Sequence, residues 1–94
     1  MSNTEDQTIL IDRITQRDAA HVLFVMGIEG GVTPGGFTEK LIETMLLADT
    51  QNAHRLRAAF TGLMSAVDVY KRMNGGVKIL QEIAAGRPFM PGQA

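Results

Sequence analysis

His54, Arg55 and Arg57 fall within one stretch of four residues, HRLR, and Lys71 with Arg72 forms a second basic pair. Guanidinium and imidazole groups this close together can hold a phosphate or a carboxylate through charge-assisted hydrogen bonds. The same spacing also builds an ordinary solvated helix face. Arg57 and Thr61 are i, i+4, as are Asp68 and Arg72. Pairs of that kind contribute only ~0.2–0.5 kcal/mol each.

A second candidate for anion chemistry is the stretch GIEGGVTPGGFTEK, residues 27–40, in which five of 14 residues are glycine. The named nucleotide motifs fail here. A P-loop needs Lys-Ser/Thr after its second glycine, and this stretch has none. The dinucleotide fingerprint needs a preceding strand and a G-x-G-x-x-G spacing that is also missing. A weaker feature survives. Gly35 and Gly36 sit in the first turn of an expected helix, where free N–H groups and the helix dipole favour an anion. Turn chemistry alone accounts equally for a helix–helix corner, and that is the more frequent use of such a stretch.

Other chemistries lack their parts. The two serines, Ser2 and Ser65, have no G-x-S-x-G around them. No nucleophile, base and orienting group stand together, so we expect no enzyme. His21 and His54 are not linked by a metal-ligand spacing, and there is no cysteine. We expect neither a metal nor a cofactor. His21, inside an apolar run, reads as a core residue. The six methionines, Met26, Met45, Met64 and Met73 among them, read as core filler.

Size and charge limit the partners. The chain has 94 residues, 45% hydrophobic and 20% charged, which suits one globular domain with a modest core. Nine Lys/Arg against ten Asp/Glu give a net charge of −1. That is the wrong balance for a general nucleic-acid surface. No apolar run is long enough to span a membrane. The opening MSNTEDQ is acidic, so no signal peptide is expected. Together with the lack of cysteine this fits a cytoplasmic setting. Residues 1–8 are polar and expected to be disordered, residues 9–86 to form a single helical domain, and residues 87–94 to be an extended tail.

The elements that must position these groups read as helices. Leu10, Ile11 and Ile14 begin a helical stripe. Asp18 can cap a helix running from Ala19, with Gly30 and Gly31 as its stop. The run HVLFVM within it is also compatible with a buried strand, but no second strand candidate exists to pair with it. Thr33 and Pro34 read as N-cap and first position of the next helix, with Phe37, Leu41, Met45 and Ala48 as its apolar stripe. Asp49 reads as another N-cap. From there to Met73, Ala53, Leu56, Phe60, Leu63, Val67 and Tyr70 are spaced 3, 4, 3, 4, 3, a heptad seam centred on Phe60. Unbroken, residues 49–73 form a rod of roughly 37 Å. Thr61-Gly62 is where it could break. A last short helix, VKILQEIAA, ends at Gly86.

Residues 33–71 resemble small helical accessory proteins of bacteriophages. The resemblance is carried by Pro34, Phe37, Ala48, Asp49, Asn52, Leu56, Arg57, Ala59, Phe60 and Tyr70. Where those proteins often have Pro after the Phe, this chain has Thr61. The resemblance implies a phage setting and a non-enzymatic binder. Some proteins of that kind oligomerise and sequester host immune signals, and others bind a host protein.

The sequence therefore predicts an all-α domain of four or five helices with one long central helix, assembled as a homo-oligomer. Its expected function is binding, either of a small anionic nucleotide-type signal or of a host protein, with a minor assembly role as a third option. The candidate ligand-binding residues are Gly35, Gly36, Arg55, Arg57, Tyr70 and Lys71.

Overall fold

The run HVLFVM is helical. In the computed structural model, which describes residues 9–87, five α-helices and one short 3-10 turn follow one another, with no strand among the described residues. The expected segments 1–8 and 87–94 lie outside the described residues, Arg87 excepted.

Leu10, Ile11 and Ile14 make only the 3-10 turn Ile11–Arg13 rather than a full helix. Helix α1 spans Gln16–Val25. Its N-cap is Thr15, not Asp18. Thr15 Oγ1 accepts from the Asp18 N–H at 2.9 Å, and the Asp18 carboxylate accepts from the Thr15 N–H at 3.1 Å. This reciprocal box satisfies two donors that a helix start otherwise leaves open. The helix stops at Gly27, not at Gly30-Gly31. The Gly27 N–H donates to Phe24 O and the Ile28 N–H to Leu23 O, both at 2.9 Å. Gly27 takes φ +73°, the left-handed conformation this terminator needs and glycine adopts without cost. Residues after it fold back along α1: the Val32 N–H reaches Ala20 O at 3.1 Å. Gln81 Nε2, far along the chain, holds the same strap by donating to Glu29 O at 2.9 Å.

Helix α2 spans Gly36–Leu47. Gly35 is its N-cap and Gly36 its first residue, two residues later than the expected Thr33-Pro34 start. Pro34 is buried instead. The face that α2 buries is Ile42 and Met45, with Leu41 and Leu46 beside them. Phe37, expected on that stripe, is 71% exposed.

The expected long central helix is two helices, α3 at Thr50–Ala59 and α4 at Thr61–Arg72. Asp49 caps α3 as expected, accepting from the Asn52 N–H at 2.8 Å. The break is at Phe60, with φ −133° and ψ 66°. Two neighbours make the break workable. Thr61 Oγ1 donates to Arg57 O at 2.9 Å, satisfying a carbonyl that α3 would leave open. Gly62 lies directly against the Arg13 carbonyl and the Asp18 carboxylate, where a Cβ has no room. The chain therefore folds back on itself, and α3 packs on α4.

Helix α4 is the centre of the domain. All seven residues from Leu63 to Val69 are buried. It contacts the 3-10 turn and the other four helices. Helix α5, Gly76–Ala84, covers α1 and α4 with Ile79, Leu80 and Ile83. The Arg87 N–H closes it on Glu82 O at 2.9 Å. Met45 and Met64 are core residues, and Met26 and Met73 pack on the core's edge. Phe60 is not at the centre of the core; it is 37% exposed.

Candidate functional site

The fold divides the six sequence candidates among separate places. Arg57 and Lys71 come together. They line a small cavity of about 110 Å³ with Ala48, Asp49, Asp68 and Arg72. Gly35 and Gly36 lie at the far end of α2, a helix length away, roughly 17 Å. Arg55 is on the outer face of α3, donating to Asn52 Oδ1 at 3.1 Å. Tyr70 is half-buried against the core.

Within the basic cluster Arg57 does not lie on a solvated face, whereas His54 and Arg55 do. Asp68 is buried in α4, with only 3% of its side chain exposed, and Arg57 is 13% exposed. Arg57 donates to Asp68 Oδ2 from Nε at 2.9 Å, and its Nη2 is 2.8 Å from the same oxygen. Arg72 Nη1 is 3.3 Å from Asp68 Oδ1. Each carboxylate oxygen thus has its own guanidinium. Lys71 Nζ donates to Leu46 O at 3.2 Å, at the negative C-terminal end of α2. Arg57 ties α3 to α4, and Lys71 ties α4 to α2. Arg57 in particular is turned inward.

A second concavity escapes the sequence candidates. It is a shallow cleft of about 290 Å³ between α1, α2 and the α3–α4 break. Leu41 and Leu63 line it, with Arg17 and His21 from α1 and Phe37 and Phe60 from the other two sides. The Phe37 and Phe60 rings meet at 6.4 Å between centroids, tilted by 55°. Phe24 continues the Arg17–His21 row along α1 at helical spacing and is 41% exposed. All three phenylalanines among the described residues are therefore at the surface. His21 is held below its usual pKa, first by burial and then by the Arg17 charge, with Asp18 opposing both. The sequence pattern assigns Phe37 and Phe60 to buried apolar stripes, and so gives no signal for this cleft. The sequence has no means of bringing Phe37 to Phe60.

Among the described residues, no group of three or more His, Asp or Glu is placed to hold a metal ion. None of their helices is long and apolar enough to cross a membrane. Comparison with protein-family models, curated proteins and solved structures finds no match to this chain.

Proposed function

We propose that this chain is a non-enzymatic binding protein whose α1–α2–α3/α4 cleft takes an apolar segment of a partner protein. The observation that carries this is the exposure of Phe37 and Phe60, which line the cleft at 71% and 37%, with Phe24, 41% exposed, one turn beyond His21 on α1. Aromatic side chains bury large area at little entropic cost and are enriched at the anchoring centres of interfaces. Leu41 and Leu63 supply an apolar lining, and Arg17 and His21 a polar rim.

Sequestration of a nucleotide-type signal is the less favoured reading. Small-molecule sites usually occupy ~300 Å³ or more. The basic cavity, at about 110 Å³, is well below that, and Arg57 is engaged by Asp68. The Gly35-Gly36 helix start is on the opposite end of α2. The absence of a catalytic set in the sequence supports a binder, and Ser65, the one serine among the described residues, is fully buried. A phage setting rests on the resemblance of residues 33–71. In that setting the bound segment belongs to a host protein that is inhibited or recruited.

The test is site-specific photo-crosslinking in the host cell. A photoreactive residue at position 37 should capture one protein, and the same residue at Lys78, exposed on α5, should not. Phe60→Glu should abolish the capture while the domain stays folded. Equal capture from both positions, or none from position 37, would remove the cleft as a docking site. A rise in melting temperature with cyclic nucleotides, lost in Lys71→Ala, would favour the anion reading instead.

A further inference from the structure

We infer that the outward face of α2 pairs antiparallel with the α2 of a second copy of this chain. The face consists of Gly36, Lys40, Glu43 and Leu47, spaced 4, 3 and 4 residues apart, the spacing of a two-helix seam. It points away from Ile42 and Met45, which α2 buries. Leu47 is 87% exposed, and the Lys40 and Glu43 side chains are 83% and 46% exposed.

What selects a second copy is that this face is its own complement. A twofold axis through the midpoint between residues 41 and 42 carries position 36 onto 47 and position 40 onto 43. Gly36 of one chain then meets Leu47 of the other, and Lys40 meets Glu43, twice over. A twofold interface requires this reciprocity. The ion pair is preformed in sign: within one chain Lys40 Nζ and Glu43 Oε1 are already 3.6 Å apart and free to re-pair across the axis. Gly36 supplies the seat. A Cβ there would touch nothing within 4 Å in its own chain, so the fold of one chain does not call for glycine at that position. A leucine laid across it does. A parallel pairing would instead set Lys40 against Lys40 and Glu43 against Glu43.

The pairing is of limited strength. α2 has 12 residues, and a single helix pair of that length falls below the ~1,200 Å² of standard stable interfaces. Dimer population should therefore rise with concentration. The Phe37–Phe60 cleft is on the other flank of α2, so a dimer presents two clefts, and the two proposals stand or fall separately.

Sedimentation equilibrium on the full chain tests this. The wild type should move from the mass of one chain, 10.2 kDa, toward twice that as concentration rises to the millimolar range. Lys40→Glu and Glu43→Lys, each confirmed helical by circular dichroism, should weaken self-association by roughly tenfold or more, because like charges then face each other. An equimolar mixture of the two variants should associate again, as should the double variant carrying both changes. Phe37→Asp should dimerise like the wild type. A wild type that stays monomeric throughout, single reversals that associate unchanged, or a mixture no tighter than its components would each overturn the inference.

Discussion

Arg57 and Asp68 stand eleven residues apart in sequence, and their side chains meet at 2.8 Å. In one continuous helix that separation is about 16 Å along the axis, and no side-chain pair closes it. The contact exists because the chain turns back at Phe60. It ties the end of α3 to the middle of α4, and Arg72 completes it from the next turn.

Removing one member of such a buried pair leaves the other desolvated and unpaired. Arg57→Ala should therefore destabilise the domain by about 3 kcal/mol. Asp68→Ala should cost a similar amount. The double variant should cost less than the sum, with a coupling energy of roughly 1–3 kcal/mol. Urea denaturation of the four proteins in the cycle measures it. Additive costs would mean that the pair is not what holds the hairpin.

Phe60 separates the seam read from sequence from the core seen in the structure. At 37% exposure its truncation to alanine should cost only about 1 kcal/mol. Leu80, fully buried, should cost about 2–5 kcal/mol as Leu80→Ala. Thermal melts of both variants rank them; a Phe60→Ala loss as large as that of Leu80→Ala would restore Phe60 to the core.

The helices were legible because apolar residues recur at helical spacing and because Asp49 is a strong N-cap. The break was not. A 3-4-3 seam reads the same whether a helix continues or folds back, and the signals that decide it are tertiary: Gly62 against Arg13 and Asp18, and Arg57 reaching Asp68. Pairing rules for one helix see only i, i+4 neighbours, so Asp68 was matched with Arg72 and its burial was missed. An aspartate inside the run from Leu63 to Val69 was the available clue. The cleft was illegible for the same reason, since Phe37 and Phe60 belong to different elements.

Ser65 is fully buried, and its hydroxyl finds no hydrogen-bond partner among the described residues. Burying an unsatisfied hydroxyl costs about 1–3 kcal/mol. Ser65→Ala should therefore be neutral or stabilising by about 1 kcal/mol, while also improving helix propensity in α4. Chemical denaturation reads this directly. A clear loss of stability would reveal a partner for the hydroxyl.

His21 gives the domain a pH dependence with a definite sign. Its folded pKa is below the ordinary histidine value of about 6.5, with burial the largest cause. The unfolded chain therefore binds a proton more readily than the folded one. Its contribution to stability is complete above about pH 6.5 and is lost as pH falls from there to the lowered folded pKa. His21→Gln should flatten that part of the profile. Melting temperatures of both proteins between pH 5 and 8 test it, and parallel curves would assign the dependence elsewhere.

The glycines divide by what surrounds them, and substitution should show it. A Cβ on Gly62 runs into the Arg13 carbonyl and the Asp18 carboxylate. Relief would require the 3-10 turn and the start of α1 to move off α4. Gly62→Ala should cost about 2–4 kcal/mol, in the range of severe backbone and packing changes. Gly36 is the opposite case. Nothing lies within 4 Å of its Cβ position, and it is the first residue of α2. Gly36→Ala should stabilise a single chain by up to about 1 kcal/mol. Gly35 is the N-cap, where alanine is poor and serine good. Gly35→Ala should cost a few tenths to about 1 kcal/mol, and Gly35→Ser should be neutral or better. Urea midpoints for the four variants, taken at low protein concentration, give the ordering. Equal effects at positions 36 and 62 would mean that steric surroundings do not govern these glycines.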